Sequence, residues 1–353
     1  MKTVVAEAPG KVVVLGEYAV LEGVPALALA VDRHARVELR PCRPGQCRVD
    51  TPQLGMAPAR FGLTGNGGID WAEPPTGAFE RTADLIEYLL AGIHDQGGRI
   101  RPFSLHIDTA ALFHATGDGE TKLGLGSSAA VAVALDAALL EAFGAGRAGE
   151  SAADVVRRLL VPVRRAQAGS GSGLDLAASR VGGLIAYRIE GLEISLESLH
   201  LPEDLRLLYV WTGVSASTTD FVARWRDVRR EDPHGSDALL AEMAECVEAG
   251  LAALKVDDGA AFARQIGAYG RIMGKMNDLM RVPVVTAAHR TALDEAARLG
   301  VAYKPCGAGG GDLGIAASTR TDRLAELSRR LQELGLETLA LTPDSRGVVI
   351  RNE

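Results

Sequence analysis

The stretch TKLGLGSSAAVAVAL, residues 121–135, constrains the fold of this chain more than any other. Gly124 and Gly126 permit a tight turn, and the run that follows, residues 127–143, predicts a helix ended by Gly144. Because this helix is apolar on nearly every side, it should be buried. Its amino terminus would present unpaired N–H groups and the positive end of the helix dipole, which together bind anions.

Two known phosphate-binding motifs can be tested against this loop. A P-loop requires Gly-Lys-Ser/Thr at its end, which is absent here. The dinucleotide fingerprint G-x-G-x-x-G/A is matched by Gly124, Gly126 and Ala129, but polar residues precede it and the chain that follows remains helical. Two interpretations of the loop alone remain: a phosphate loop in which Ser127 and Ser128 bind phosphate oxygens or magnesium, and a glycine turn capped by Ser127.

Length, charge and cysteine usage limit the function classes. The 353 residues predict two domains, with a boundary at about residues 191–204. The net charge is -7 without a basic run, which argues against nucleic acid and membrane partners. No signal peptide or membrane span is visible, and the scattered cysteines indicate reduced thiols in a cytoplasmic enzyme rather than a zinc site or disulfides. The cysteines are Cys42, Cys47, Cys246 and Cys306.

Hydrophobic periodicity predicts both strands and helices along the chain, with an α+β second half. Predicted strands cover residues 3–8, 11–16, 26–39, 101–108, 182–189, 205–212, 301–304 and 313–318. Predicted helices cover residues 80–95, 127–143, 151–168, 218–231, 235–255, 258–280, 285–299 and 321–335. Residues 40–78 are rich in proline and glycine and predict an irregular excursion or a small hairpin insertion.

Three further elements could carry chemistry, although each has a structural alternative. Lys11 follows Pro9-Gly10 at the start of a strand, where it would reach a phosphoryl group or protect a sheet edge. Asp175 follows a glycine-serine loop at a predicted helix start, where capping is the alternative. The segment KPCGAGGGDLGIA (304–316) places three successive glycines between strands, which suits a tight turn or a ligand lying across the backbone.

Taken together, the PGK, GLGSS and GAGGG motifs resemble the GHMP kinase family, and they occur in the family's order over almost the whole chain. Within the family, GEYAV, GAGGGD and WTGVSASTTDFV are similar to bacterial-type phosphomevalonate kinases, whereas mevalonate kinases tend to have histidine at Tyr18 and to continue GGGG. The resemblance implies a two-domain α+β fold with an active site between the domains. Residues 1–195 would form a ribosomal-protein-S5-like domain, and residues 196–353 a ferredoxin-like α/β domain.

The same resemblance implies an activity. The expected reaction is ATP-dependent phosphoryl transfer to 5-phosphomevalonate, giving 5-diphosphomevalonate and ADP in the mevalonate route to isoprenoids. Mevalonate kinase and another GHMP small-molecule kinase are the alternatives. ATP and Mg²⁺ are the implied cofactors, and a homodimer is one alternative for the oligomeric state. A non-catalytic sensor with this fold would be expected to lose Lys11 or Asp175, and both are present.

The implied site residues fall into three groups. The catalytic residues would be Lys11 and Asp175. Nucleotide would be bound by Lys122, Gly124, Leu125, Gly126, Ser127, Ser128 and Ala129, with Ser128 as the metal ligand. Substrate would be bound by Lys11, Glu17, Tyr18, Ser172, Gly173, Ser217, Cys306, Gly307, Gly309 and Gly310.

Two departures from the family pattern affect these expectations. Cys306 stands where serine is usual, which weakens or replaces one polar contact. Arg164 and Arg165 stand where mevalonate kinases have a magnesium-binding glutamate, so either the metal rests on Ser128, phosphates, water and Asp175, or the arginines face the substrate phosphate. Apart from Lys11, the cations near the motifs are expected to be solvated surface charges. These cations are Lys122, Arg164, Arg165 and Lys304.

Overall fold

Strands and helices follow one another in the order expected for an α+β chain. The computed structural model describes residues 2–65, 67–116, 119–144, 149–166 and 171–353. The strands are β1 (Val4–Leu15), β2 (Ala26–Pro41), β3 (Arg48–Asp50), β4 (Ala59–Leu63), β5 (Ile69–Trp71), β6 (Phe103–Asp108), β7 (Phe113–Thr116), β8 (Gly119–Lys122), β9 (Leu184–Glu190), β10 (Glu193–Leu199), β11 (Arg206–Trp211), β12 (Ala302–Pro305), β13 (Leu313–Ser318), β14 (Glu337–Leu339) and β15 (Val349–Asn352).

The helices agree closely with those predicted from periodicity. They are α1 (Glu80–Asp95), α2 (Ser127–Phe143), α3 (Ala152–Ala166), α4 (Leu174–Val181), α5 (Thr218–Glu231), α6 (Pro233–Lys255), α7 (Gly259–Met280), α8 (Ala287–Arg298) and α9 (Thr321–Glu333). The last two residues of the helix predicted at 151–168, and the first two of the glycine-serine loop at 169–179, lie outside the described residues.

A mixed sheet forms the first layer, and α2 packs against its strands β1 and β2. Among the described residues the sheet has nine strands, in the order β10-β9-β2-β6-β3-β4-β5, with β1 pairing with β2 and β15. The buried face of α2 is built largely from alanine, whose small side chain lets the helix lie close to the sheet. This packing confirms the predicted burial of α2 and fixes its amino terminus.

Antiparallel pairing builds the second sheet, in the order β12-β13-β11-β14. Helix α7 packs against β12 and against α6. One apolar core joins this half to the first, because Leu15 and Tyr18 share it with Trp225, Met243 and Tyr269. The end of β1 is therefore held by side chains from both halves of the chain.

Two features refine the sequence-based division of the chain. Residues 40–78 contain β3 and the antiparallel β4–β5 pair, as the hairpin alternative predicts. Strand β15 pairs with β1, with Val4 opposite Asn352, so the end of the chain returns to the first sheet. The predicted boundary between residues 195 and 196 stays a prediction.

Within the part of the chain that is described, no helix has the length and apolar character that crossing a bilayer requires.

Candidate active site

Strand β1 is fixed directly to the GLGSS loop (residues 124–128). The amide of Lys11 donates a hydrogen bond to the Leu125 carbonyl over 2.8 Å. A side chain at Gly10 would place its Cβ 2.9 Å from the same carbonyl oxygen and 2.8 Å from Leu112. Glycine is therefore required at position 10, because a side chain there would keep the strand from approaching the loop this closely.

The GLGSS loop presents the start of α2 as an anion site. Gly124 and Gly126 both have φ near +77°, in the left-handed region that favours glycine. Gly126 is the N-cap of α2 and has no side chain with which to cap the first turn. In that first turn, Ser128 is exposed and Ser127 is half-buried. Backbone N–H groups and two hydroxyls therefore face the same end of the helix dipole.

Leu125 and Ala129, both predicted to bind nucleotide, have a supporting role in this geometry. Both side chains are buried. The Leu125 carbonyl accepts from Lys11, and the Ala129 amide donates to the Gly126 carbonyl over 3.0 Å. These two residues hold the shape of the loop rather than offering their side chains to a ligand.

Lys11 and Asp175 form an ion pair against this loop. The Lys11 Nζ lies 3.4 Å from Asp175 Oδ1, with side chains 8% and 44% exposed. A Cβ added to Gly126 would lie 3.0 Å from Lys11 Cε and 3.4 Å from Asp175 Oδ2. Lys11 is therefore a buried lysine beside a candidate phosphate site, and the sheet-edge alternative is wrong.

Asp175 lies in the first turn of helix α4, and the turn just before this helix is held by hydrogen bonds. Gly173 is the N-cap at φ 88°, and the Ser172 hydroxyl accepts from the Leu174 amide over 3.3 Å. Tyr187 donates its hydroxyl to the Ser172 carbonyl over 2.6 Å. Ser172 and Gly173, predicted to contact substrate, thus shape the turn that orients Asp175.

The GAGGGD loop (residues 307–312) needs its glycines for close contact with neighbouring elements. A Cβ on Gly309 would lie 2.3 Å from the Val284 carbonyl oxygen, and a Cβ on Gly310 would lie 2.3 Å from the Phe221 ring. The Gly310 amide donates to the same Val284 carbonyl over 2.8 Å. Gly307 remains half-exposed at the start of the loop.

Cys306, predicted as a substrate contact, is buried behind this loop. Its amide donates to the Leu313 carbonyl over 2.8 Å, which closes the base of the loop. Burial raises the pKa of the Cys306 thiol to about 12, so the side chain is a neutral thiol at physiological pH. Position 306 is therefore filled by a buried, uncharged thiol under the loop.

Glu17 and Lys304 form a buried ion pair, which corrects the expectation for Lys304. Lys304 was expected to be a solvated charge, but its side chain is 0% exposed and it donates to Glu17 Oε1 and, over 3.2 Å, to the Val13 carbonyl. The Glu17 carboxylate also accepts from the Gly307 amide over 3.2 Å, and its contact with substrate stays a prediction. The pair therefore joins the end of β1 to the GAGGGD loop.

Tyr18 makes the neighbouring connection between the two halves. Its hydroxyl donates to the Ala308 carbonyl over 2.5 Å, and its ring is buried against Trp225. Tyr18 also has φ 61°, a backbone conformation that is uncommon outside glycine. Tyr18 is therefore bonded to the backbone of the GAGGGD loop, and its substrate contact stays a prediction.

The remaining predicted groups border the cleft. Lys122 ends β8 and is exposed two residues before the GLGSS loop, and Ser217 is the exposed N-cap of α5. Arg164 donates to the Gly171 carbonyl over 2.9 Å, so it supports the loop before α4. Arg165 is exposed in the last turn of α3.

Sequence reasoning missed Asp312, the last residue of the GAGGGD loop. Its carboxylate accepts from the Ala216 amide over 3.3 Å. On its other side, a Cβ added to Gly124 would lie 2.5 Å from the Asp312 Cγ. Asp312 thus touches both glycine loops, and an acidic residue directly after three glycines was the available signal.

Comparison with known proteins identifies the family. The model for the GHMP kinase N-terminal domain matches residues 85–183. A phosphomevalonate kinase from Streptomyces sp. (strain CL190) is 30% identical over 382 residues, covering 98% of this chain and 99% of the relative. The chain belongs to the GHMP kinase family. It is therefore an ATP-dependent kinase, as the sequence motifs predict.

Solved structures agree with this GHMP kinase in fold. A Lin0012 protein from Listeria innocua matches with a TM-score of 0.86 and 26% identity, covering 99% of both chains. Phosphomevalonate kinase from Streptococcus pneumoniae, in complex with phosphomevalonate and AMPPNP, matches with a TM-score of 0.77 and 21% identity over 96% of this chain and 99% of that one. The predicted α+β GHMP kinase fold is confirmed. Mevalonate kinases from Thermococcus, Pyrococcus and Bos taurus also match, at 26–29% identity.

In this GHMP kinase, we expect Gly124→Ala to weaken nucleotide binding by about tenfold in the KM for ATP. The added Cβ would overlap Asp312 and strain a backbone at φ +77°, so the GLGSS loop must shift. The free energy of unfolding should also fall by about 1–3 kcal/mol. Steady-state kinetics with varied ATP, together with denaturant unfolding, measures both effects.

Gly45→Ala is the matched control for Gly124→Ala. Gly45 has φ +80° and no neighbouring atom within 4 Å of an added Cβ, so it reproduces the backbone strain without the contact. The control should lose stability and keep its KM for ATP. Equal KM values in the two variants would contradict a role for the Gly124–Asp312 contact.

Proposed function

We propose that this kinase transfers the γ-phosphoryl group of ATP to 5-phosphomevalonate, giving 5-diphosphomevalonate and ADP. The observation that carries the transfer chemistry is the Lys11–Asp175 pair, 3.4 Å apart and packed against Gly126 at the start of α2. A helix amino terminus and a buried ammonium group are the arrangement expected where phosphate charge has to be stabilised.

The choice of acceptor is supported by similarity over the whole chain. A phosphomevalonate kinase matches over 98% of this chain, whereas the mevalonate kinases reported above match at slightly lower identity over 62–88% of it. The GEYAV and GAGGGD segments differ from the mevalonate kinase pattern. In the first, the Tyr18 hydroxyl donates to the Ala308 carbonyl, and in the second, the Asp312 carboxylate accepts from the Ala216 amide. The enzyme would then act on a phosphate acceptor in the mevalonate route to isoprenoids.

Lys11 would stabilise charge on the transferred group. Phosphoryl transfer forms a bond from an acceptor phosphate oxygen to the γ-phosphorus and breaks its bond to the β–γ bridging oxygen, so ADP leaves with that oxygen. A fixed ammonium group beside the developing charge lowers the barrier without reorganisation. Because Lys11 is 8% exposed, its charge is little screened by water.

Asp175 would mainly orient Lys11 or magnesium, with proton removal secondary. A phosphate monoester has a second pKa of about 6, so the acceptor is largely a dianion at neutral pH and already nucleophilic. A carboxylate 3.4 Å from Lys11 Nζ can hold that ammonium group in place. A mevalonate hydroxyl, by contrast, must lose its proton, and Asp175 would then be needed as a base.

Magnesium fits the residues at the mouth of the site. Ser128 is an exposed hydroxyl and Asp175 a half-exposed carboxylate, both hard oxygen donors beside the GLGSS loop. Among the described residues, no three His, Cys, Asp or Glu side chains are clustered as a metal site, and Mg²⁺ bound mainly by phosphates and water needs no such cluster. Bound Mg²⁺ would neutralise phosphate charge, with Ser128 and Asp175 as the protein ligands.

An acceptor panel tests the proposal. With ATP and Mg²⁺, we expect kcat/KM for 5-phosphomevalonate to exceed that for mevalonate by at least about 10²-fold, and homoserine to give no turnover. Coupled detection of ADP measures all three. A preference for mevalonate would contradict the proposed acceptor and favour the alternative of a mevalonate kinase.

The cytoplasmic location and the homodimer stay predictions.

A further inference from the structure

Two of the four cysteines lie against each other in the connection between β2 and β3. Cys42 follows β2 and Cys47 precedes β3, and their Sγ atoms are 3.8 Å apart. A disulfide bond holds its sulfur atoms at about 2.0 Å, so closing this gap takes a movement of less than about 2 Å. The other two cysteines lie on different elements, Cys246 within α6 and Cys306 directly after β12.

Backbone hydrogen bonds hold the two cysteines in this position. The Cys42 amide donates to the Pro102 carbonyl over 3.1 Å, and the Cys47 carbonyl accepts from the Phe61 amide over 3.2 Å. Residues 44–45 turn the chain between them. The fold has therefore already met the entropy cost of bringing the two thiols together.

The two thiols differ in their access to solvent. Cys42 is half-buried, whereas Cys47 is 3% exposed and belongs to the apolar core under the first sheet. Burial, followed by the hydrogen bond with Cys47, raises the pKa of the Cys42 thiol to about 11. Cys42 is therefore neutral and slow to react at physiological pH, but a dissolved reagent reaches it before Cys47.

We propose that Cys42 and Cys47 form a thiol–disulfide exchange site, which reacts with a low-molecular-weight disulfide such as oxidised glutathione and closes an intramolecular disulfide. The Cys42 thiolate attacks one sulfur of the small disulfide, which forms a mixed disulfide and releases one thiol. The Cys47 thiolate then attacks Cys42 Sγ, forms the Cys42–Cys47 bond and expels the second thiol. The protein loses two electrons and two protons, and the small disulfide gains both. This inference does not depend on the proposed phosphoryl transfer.

The new bond would cross the start of β6. In the sheet, β6 lies between β2 and β3, with Pro41 opposite Phe103 and Arg48 opposite Ser104. A Cys42–Cys47 bond therefore ties together two strands that are not neighbours in the described sheet. Because the closed ring is short, we expect the oxidised enzyme to unfold only about 2–5 °C above the reduced enzyme.

Mass spectrometry after incubation of the whole enzyme with oxidised glutathione tests the exchange. At mildly alkaline pH, wild type should lose about 2 Da, the mass of the two thiol hydrogens. Peptide mapping should join Cys42 to Cys47 and find Cys246 and Cys306 free for alkylation after unfolding. Because alanine is small and apolar, Cys42→Ala and Cys47→Ala should both fold.

These two variants separate the steps of the exchange. Cys47→Ala should stop at the mixed disulfide and keep one glutathione on Cys42, whereas Cys42→Ala should gain none. Cys246→Ala is the matched control, since Cys246 is also buried, and it should close the same disulfide as wild type. Four thiols that stay free in wild type, or glutathione retained on Cys42 of wild type without closure, would overturn the proposal.

Thermal unfolding then tests the effect of the bond on the fold. Oxidised wild type should unfold about 2–5 °C above the same protein in dithiothreitol, and Cys42→Ala should unfold at one temperature under both conditions. A shift of equal size in Cys42→Ala, or no shift in wild type whose disulfide has closed, would overturn the stabilising role of the bond.

Discussion

Replacing Lys11 with methionine should lower kcat by roughly 10²–10³-fold, because the buried ammonium group beside the GLGSS loop is lost. Methionine keeps the length and apolar stem of the side chain. The fold should survive, since the Asp175 carboxylate left without its partner is 44% exposed and stays solvated. The KM for ATP should change little if Lys11 acts mainly in the transition state. Steady-state kinetics and thermal unfolding of the same preparation measure these effects.

Two comparisons make the Lys11 result specific. Lys255→Met removes an exposed lysine from the last turn of α6 and should leave kcat unchanged. Lys11→Arg keeps the charge but should not restore full activity, because a planar guanidinium on a longer side chain cannot take the position of the compact ammonium group that pairs with Asp175. A kcat within about tenfold of wild type in Lys11→Met would contradict direct stabilisation of the transferred group.

Replacing Asp175 with asparagine should lower kcat by about 10²-fold without abolishing turnover of 5-phosphomevalonate. The amide can still contact Lys11 and magnesium but no longer holds either by charge, so the loss is one of orientation. Because the acceptor phosphate ionises without help from Asp175, the remaining activity should rise with pH through the second pKa of that phosphate, about 6, and then level off. A pH profile of kcat/KM for wild type and variant measures this.

Asp322→Asn is the control for a carboxylate in the first turn of a helix, since Asp322 is exposed at the start of α9. It should leave kcat unchanged. The opposing outcome for Asp175 is complete loss of turnover at every pH, with a wild-type profile that requires a base ionising near neutrality. That result would assign proton removal to Asp175 and favour a hydroxyl acceptor.

The local motifs explain why much of the site was predictable. Pro9-Gly10-Lys11, the GLGSS loop and Asp175 each lie at the junction of a strand or loop with an element whose periodicity is clear, and their order along the chain indicates the family. The buried helix α2 was equally visible, because an apolar run without a polar face has few alternatives to burial. These features depend on residues close in sequence.

The unpredicted features depend on contacts between distant residues. Lys304 lies 287 positions from Glu17 and resembles a surface lysine in sequence, because nothing local indicates that its partner is buried beside it. The pairing of β15 with β1 was not predicted for the same reason, because the two strands lie near opposite ends of the sequence. Asp312 was visible as part of a motif, but its contact with Gly124 is created only when the two halves pack.

The central claim is that this kinase makes a diphosphate from a phosphate monoester. Phosphorus NMR of the wild-type enzyme with ATP, Mg²⁺ and 5-phosphomevalonate tests it most directly. The monoester resonance should disappear, and two coupled resonances of a new diphosphate should grow in step with ADP. An unchanged monoester resonance, while a parallel sample with mevalonate gains a new monoester resonance, would contradict the account.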